Sequence, residues 1–263
     1  MSGHLIARGV TKKYGGLYAC NGVDLEVAPG EIIGLIGPNG AGKTTTFNCL
    51  TGAVKLTSGQ ITLNGKDISN LPATERAALG IGRTFQHAQL FKHLSVEENL
   101  LLGRHRLYGA GVLRGALGLA GGKERAARRY AHEVAELCGL SPVLNAPCGD
   151  LPYGTQRMVE VARAILVDPE VLLVDEPAAG MDSDESVYFG QLLGRIARER
   201  GMSVLIIEHD VAMVLSLCDR IYVLNFGSLL AQGTPAEIRS NAEVRAAYLG
   251  STVASTDKVG SAS

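Results

Sequence analysis

The stretch Gly37-Pro-Asn-Gly-Ala-Gly-Lys-Thr-Thr45 decides the fold, because its first eight residues match the phosphate-binding pattern G-x-x-x-x-G-K-[ST]. The apolar run at residues 31–36 predicts a buried strand before it, and residues 44–50 predict the start of a helix after it. In that setting glycines let the backbone curl, so that successive amide N–H groups point at phosphate oxygens. The N-terminus of the helix adds its positive dipole end.

These nine residues therefore predict a nucleotide site, in which two side chains have specific roles. The Lys43 ammonium reaches the β- and γ-phosphates, and the Thr44 hydroxyl is placed to bind Mg²⁺. The binding residues predicted from this loop are Gly37, Pro38, Asn39, Gly40, Ala41, Gly42, Lys43, Thr44 and Thr45.

A second candidate site lies where the apolar run at residues 171–174 ends in Asp175 and Glu176. Ligands bind at the carboxyl ends of parallel strands. There Asp175 can hold Mg²⁺, directly or through water, and Glu176 can polarise the water that attacks the γ-phosphate. An Asp-Glu-Pro sequence alone also fits an ordinary turn after a strand. Beside a phosphate loop, the catalytic interpretation is favoured.

The remaining segments predict an α/β chain. Residues 60–65 predict a strand ending in an Asn-Gly turn, so the first third should contain antiparallel as well as parallel strands. Residues 95–165 predict a helical insertion that starts with a Ser95–Glu98 capping box, contains a helix at 123–140, and has a flexible or weakly helical connection at 109–122. Strands at 171–174 and 203–207, with a helix at 186–200 between them, predict a βαβ unit. A hairpin at 220–232 and a helix from Thr234 follow.

Composition excludes several classes. Among 263 residues, 46% are hydrophobic and 19% are charged, and the formal net charge of −1 gives no field that would attract nucleic acid. The five scattered cysteines show no Cys-x-x-Cys spacing, which argues against a disulfide framework or zinc site and fits a reducing compartment. We expect neither a secretory signal nor a bilayer-spanning stretch of about 18 apolar residues. Other chains would have to cross any membrane at which this protein acts.

Five motifs, taken in order, resemble those of ABC-transporter ATPase subunits. They are the phosphate loop, Gln86 at the end of Gly-Arg-Thr-Phe-Gln, the segment 151–157, Asp175-Glu176-Pro177 and Glu208-His209-Asp210. The resemblance runs from about residue 5 to 250. It implies a single ABC ATPase domain of the P-loop NTPase type over residues 1–250. Such a domain has a mixed-sheet core, an antiparallel β subdomain and a helical subdomain inserted at about 95–165. Residues 251–263 are expected to form a disordered tail.

The resemblance also implies roles for single residues, with ATP and Mg²⁺ as cofactors. Tyr14 would stack on adenine, Gln86 would touch Mg²⁺ and the attacking water, and His209 would contact the γ-phosphate and position the catalytic Glu176. Asp182 would communicate between opposed subunits. Purely structural alternatives remain for three of these residues: a core or rim position for Tyr14, a helix N-cap for Asp182 and a structural role for His209.

The signature segment departs from the Leu-Ser-Gly-Gly-Gln usual in that family, since it is Leu-Pro-Tyr-Gly-Thr at residues 151–155. Pro152 brings neither a serine hydroxyl nor an N–H donor, although proline suits a first helical turn. We expect Tyr153 and Gly154 to close on the ATP of the opposite subunit through backbone donors and the helix dipole. The alternative is a plain helix start.

Finer features are similar to ATPase subunits of branched-chain amino-acid importers: residues 80–86, 151–154, 175–180 and 247–250. That implies a peripheral subunit on the cytoplasmic face of the cell (inner) membrane. Its partners would be a second ATPase subunit (a copy or a paralogue), two integral membrane permease subunits and an external solute-binding protein. The alternatives are a urea or short-amide importer, a lipid or polysaccharide exporter, a soluble ATPase of translation or DNA repair, and a catalytically inactive binding module.

Overall fold

Short runs of aliphatic and β-branched residues form the central sheet. The computed structural model describes residues 3–84, 90–104 and 121–248. Six strands lie in the order β10-β9-β3-β8-β7-β6, with all neighbours parallel except the β9–β10 hairpin. They are β3 (Ile32–Ile36), β6 (Ile81–Arg83), β7 (Val171–Asp175), β8 (Ser203–Ile207), β9 (Arg220–Asn225) and β10 (Ser228–Gly233). The predicted strands at 171–174 and 203–207 are confirmed as parallel neighbours.

Every residue of β3, β7 and β8 is buried, which explains why these strands read as continuous apolar runs. Alternate residues point to opposite faces, so Ile33 and Leu205 pack in one layer while Ile32 and Val204 pack in the other. The carboxyl ends of all these strands meet at one edge, where the phosphate loop follows β3.

The predicted antiparallel strands form a separate sheet in the order β2-β1-β4-β5. Its strands are β1 (Leu5–Tyr14), β2 (Leu17–Val27), β4 (Ser58–Leu63) and β5 (Lys66–Asp67). The predicted turn at Asn64-Gly65 joins β4 to β5, with both residues at positive φ (50° and 78°). This Asn-Gly pair supplies the left-handed geometry that a tight hairpin turn requires.

Helices pack on both faces of the central sheet. They are α1 (Lys43–Thr51), α2 (Ala73–Ala78), α3 (Val96–Arg104), α4 (Gly121–Leu137), α5 (Tyr153–Ile165), α6 (Ser183–Arg200), α7 (Val211–Leu217) and α8 (Pro235–Ser240). Helices α3, α4 and α5 contact one another and come between β6 and β7 in the chain, as the predicted helical insertion requires. The connection at 105–120 and the tail after 248 lie outside the described residues. Within the described ranges, no helix is long and apolar enough to cross a bilayer.

Two predicted helix boundaries were wrong. The helix expected at 186–200 begins at Ser183, because the Asp182 carboxylate accepts hydrogen bonds from the amides of Asp184 and Glu185 and so caps an earlier turn. The helix expected at 123–140 runs from Gly121 to Leu137, since Gly139 adopts a left-handed φ of 68°.

The capping box predicted at Ser95 is confirmed, and the helix predicted from Thr234 begins with a second one. The Ser95 amide and hydroxyl donate to the Glu98 carboxylate, and the Glu98 amide donates back to the Ser95 hydroxyl at 3.2 Å. Thr234 makes the same exchange with Glu237, with Pro235 in the first helical position.

A buried cation, Arg76, joins α2 to the end of the phosphate-loop helix. Its guanidinium donates to the carbonyls of Cys49 and Leu50, both at 2.7 Å, and to those of Ser69 and Leu71, both at 2.9 Å. Burial lowers the pKa of Arg76. The last carbonyls of a helix lack partners in a following turn, so this side chain adds donors to the C-cap at Gly52, whose amide donates to the Cys49 carbonyl at 3.2 Å.

Arg76→Met is therefore expected to lower the free energy of unfolding by about 2–4 kcal/mol, because it removes four hydrogen bonds that a buried guanidinium donates to backbone carbonyls. Urea denaturation of the two proteins measures the loss. Arg8→Met, which removes a guanidinium that is 60% exposed, is the control and should change stability little. Equal stability of Arg76→Met and the parent would show that water replaces these hydrogen bonds.

Candidate functional site

The phosphate loop bends sharply between β3 and α1, and two of its glycines are required by contact. A Cβ on Gly37 would lie 2.2 Å from the Leu224 carbonyl oxygen, and one on Gly42 would lie 2.4 Å from that of Ala19. Both glycines also have positive φ, 152° and 96°. Gly42 is the N-cap of α1 and offers no side chain to the first helical amides, so these donors face the bend.

Lys43 is only 5% exposed and folds back onto the loop. Its ammonium donates to the carbonyls of Gly37 at 2.7 Å and Pro38 at 3.0 Å. Burial lowers the pKa of Lys43, and the charges of Glu176 and Asp175 oppose that shift. The loop thus holds a desolvated positive charge where the predicted phosphates would lie.

A cavity of about 490 Å³ opens above the loop. Its lining combines the loop with Glu176 and His209, so the structure brings together groups that the sequence placed far apart. The described lining residues are Leu17, Tyr18, Ala19, Asn39, Gly40, Ala41, Gly42, Lys43, Thr44, Thr45, Glu176, His209 and Phe226.

Glu176 and His209 form a direct pair. The Glu176 Oε1 lies 2.7 Å from the His209 Nε2, and these side chains are 17% and 48% exposed. The strands that precede these two residues are neighbours in the sheet, with Asp175 of β7 in register with Ile207 of β8. Glu176 has a φ of 45°, which a side-chain-bearing residue rarely adopts, and its amide donates to the Ile207 carbonyl at 2.9 Å.

Glu208 supports this pair and was given no role from sequence. Its carboxylate accepts the amides of Ala178 at 2.7 Å and His209 at 3.0 Å, so it fixes the backbone on both sides of the site. Burial raises the pKa of Glu208, and these hydrogen bonds lower it. The sequence feature that could have indicated this role is the position of the carboxylate directly after an apolar strand.

Asp175 is buried, and neither carboxylate oxygen has a hydrogen-bond partner among the described residues. Burial raises the pKa of Asp175, and the neighbouring Glu176 charge raises it further. Unpartnered buried carboxylate oxygens are costly. They are also the ligands that Mg²⁺ prefers, so this residue fits the predicted metal role.

Several predicted site residues are absent from the described lining of the cavity, among them Gly37, Pro38 and Asp175, which lie close to lining residues in the chain. Tyr14 lies at the end of β1, is 51% exposed and has the Lys12 ammonium 4.8 Å from its ring centroid. It is absent from the described lining, so its adenine role stays a prediction. Gln86 lies outside the described residues. The aromatic lining residues Tyr18 and Phe226 were given no role from sequence, and Phe226 lies within the hairpin predicted at 220–232.

The signature segment starts a helix, as expected. Pro152 is the N-cap of α5 with φ −53°, and its carbonyl accepts the Gln156 amide at 3.0 Å. The Tyr153 ring packs over Gly180, and its hydroxyl accepts the Arg157 Nε at 2.9 Å.

Asp182 lies two residues after Gly180, so this predicted set is close in space. Pro152, Tyr153, Gly154 and Asp182 are all absent from the described lining of the cavity in their own chain.

Comparison with known proteins adds to this geometry. A family model described as ABC transporter matches residues 20–179, which is more than half of the chain. The chain belongs to the ABC transporter family. A second model, described as branched-chain amino acid ATP-binding cassette transporter, matches residues 228–254. The predicted ABC ATPase fold and ATPase class are thereby confirmed for this ABC subunit.

Similar proteins align with nearly the whole length of the ABC subunit. The high-affinity branched-chain amino acid transport ATP-binding protein LivG of Salmonella typhimurium is 44% identical over 253 residues, covering 94% of this chain and 97% of that protein. The corresponding protein BraF of Pseudomonas aeruginosa is 43% identical, covering 92% and 96%. The crystal structure of a nucleotide-free ATP-binding cassette from an ABC transporter is 30% identical, with a TM-score of 0.81 and coverage of 94% and 98%. The ABC subunit is thus an ATP-binding, ATP-hydrolysing transporter component.

Proposed function

We propose that this ABC subunit powers import of branched-chain amino acids, with each ATP held between its phosphate loop and the signature segment of a second ATPase subunit. The main observation in favour of a site shared by two chains is that the predicted ATP-contacting segments lie apart within one chain. The cavity joins the phosphate loop to Glu176 and His209, whereas the segment at 152–154 is absent from the described lining. The names of LivG and BraF support the transported solute.

Hydrolysis proceeds by in-line attack of water on the γ-phosphate. Glu176 accepts the proton of the attacking water, while His209 holds the carboxylate in place and reaches the γ-phosphate. Lys43 and the loop amides neutralise the phosphates. The Thr44 hydroxyl, the Asp175 carboxylate and Gln86 would hold Mg²⁺, which would supply charge neutralisation at the phosphates.

The opposite subunit completes the site with the start of its own α5. The first amides of a helix lack partners within the helix, and the helix dipole favours negative charge there. Tyr153 and Gly154 supply these donors to the γ-phosphate, whereas Pro152 has no N–H to offer. Asp182, which caps α6 beside this segment, links the two facing subunits.

The assembled transporter contains a copy or paralogue of this chain, two integral membrane permease subunits and an external solute-binding protein. The ABC subunit sits at the cytoplasmic face of the cell membrane as a peripheral component. ATP binding closes the pair of ATPase subunits and hydrolysis reopens it, which is a two-state motion that the γ-phosphate biases. Gln86 couples that motion to the permeases.

Reconstitution of the full complex in proteoliposomes tests the proposal. With the binding protein outside and ATP inside, uptake of labelled leucine is expected to exceed uptake without ATP, and labelled urea is expected to remain outside. Uptake of urea instead of leucine would assign the chain to the urea and short-amide branch. ATP-driven loss of a lipid or polysaccharide from the vesicles, without leucine uptake, would make it an exporter subunit.

A further inference from the structure

An aromatic residue, Phe226, occupies the first position of the two-residue turn at the tip of the β9–β10 hairpin. Phe226 is 89% exposed, so its ring contributes little to the core. Its φ is 45°, a left-handed conformation that is uncommon for a bulky residue. The two-residue turn requires this geometry, but Asn, Asp or Gly adopts it more readily than Phe. Since neither the turn nor the core needs the exposed ring, the ring is available for a contact outside the chain's own packing.

The hairpin tip is anchored to the phosphate loop. The Gly227 amide donates to the Ala41 carbonyl at 3.0 Å, and the Asn21 amide donates to the Gly227 carbonyl at 2.7 Å. A Cβ on Gly227 would lie 3.4 Å from the Tyr18 carbonyl oxygen, so the tip packs on the start of β2. The position of Phe226 is therefore set by the loop that would hold the phosphates.

Phe226 lines the same cavity as the loop, together with Leu17 and Tyr18. The cavity thus combines a polar wall, formed by the loop with Glu176 and His209, with an apolar wall that carries two aromatic rings. A nucleotide has the same division, with charged phosphates at one end and a flat base at the other. Aromatic rings stack on bases through the π-face that every base presents.

We propose that Phe226 stacks against the adenine of bound ATP and is a determinant of nucleotide affinity. This inference rests on the proposed function. The anchoring hydrogen bonds hold the hairpin tip against the loop that carries Lys43, so that one nucleotide can contact the loop with its phosphates and Phe226 with its base. Tyr14, which was predicted for this task, is absent from the described lining, and Phe226 supplies a base contact from a different part of the chain.

Calorimetric titration of the full chain tests the stacking with two probes. The non-hydrolysable analogue AMP-PNP carries a base, and inorganic tripolyphosphate does not. Phe226→Asn is the main variant, because asparagine tolerates a left-handed φ and removes the ring. It is expected to weaken AMP-PNP binding about 5- to 10-fold, at the low end of base–aromatic stacking, and to leave tripolyphosphate binding unchanged.

Phe226→Tyr keeps the ring and is expected to retain the parent affinity for both probes. Tyr188→Asn, which removes an exposed aromatic ring from α6, should behave as the parent does. Equal losses for AMP-PNP and tripolyphosphate would overturn the proposal, because Phe226 would then act through the phosphate loop.

Unchanged AMP-PNP binding by Phe226→Asn would also overturn the proposal, and a loss in Tyr14→Ala alone would assign the base to Tyr14. A parent protein that binds neither probe would refute the proposed function itself.

Discussion

Glu176→Gln is expected to lower ATP hydrolysis by the assembled transporter at least about 100-fold, which is the lower range for loss of a general base. Glutamine keeps the size of the side chain and can hydrogen-bond to His209 at the 2.7 Å contact, but it cannot accept the proton of the attacking water. ATP binding should persist, because the phosphate loop and Lys43 are unchanged. The variant is therefore expected to accumulate as a closed pair of ATPase subunits.

Phosphate release and size-exclusion chromatography with ATP measure the two effects. Glu199→Gln removes an exposed carboxylate from α6 that is absent from the described cavity lining, and it serves as the matched control. Rapid hydrolysis by Glu176→Gln would remove this carboxylate from the mechanism. Loss of hydrolysis together with loss of ATP binding would show that Glu176 holds the site in shape rather than acting on water.

Lys43→Ala is expected to weaken ATP binding about 100-fold or more, in the range for truncating one partner of a buried charge pair. The ammonium is almost fully buried and already desolvated, so its interaction with phosphate oxygens is screened little by water. Calorimetric titration with AMP-PNP measures the change. Lys66→Ala, which removes an exposed ammonium from β5, should bind as the parent does.

A second variant separates binding from folding. The Lys43 ammonium donates to the carbonyls of Gly37 and Pro38, so its removal also changes the loop itself. Lys43→Met keeps most of the alkyl stem, and its thermal melting temperature reports whether the loop and α1 remain packed. Unchanged nucleotide affinity in a folded Lys43→Met protein would contradict the assignment of the phosphate loop.

Local features of the fold could be read from the sequence because they depend on neighbouring residues. The strand–loop–helix around Gly37 is encoded by an apolar run and closely spaced glycines, and the caps at Ser95 and Thr234 are encoded over four residues. Helix ends were less well predicted. The start of α6 depended on whether Asp182 acted as a cap, and periodicity alone does not report that choice.

Strands β1 and β2 show the limit of such reasoning. Their pairing has three shifts in register, so the alternation of buried and more exposed residues at 23–27 of β2 does not continue along the whole strand. Their register is set by contacts with each other, with β4 and with α1, which join distant segments. Sequence patterns predicted that antiparallel strands were present, but they did not predict which residues would pair.

The chemical groups of the site are encoded in short local motifs: a phosphate loop, a pair of acids after an apolar strand, and a histidine after another. Which of these groups meet depends on the three-dimensional arrangement of the strands. His209 reaches Glu176 because β8 lies beside β7, and Phe226 reaches the phosphate loop because β9 lies beside β3. The physical reason is that strand order and register depend on burying both faces of the sheet at once. That requirement involves the whole chain, whereas a motif depends only on residues that are adjacent in sequence.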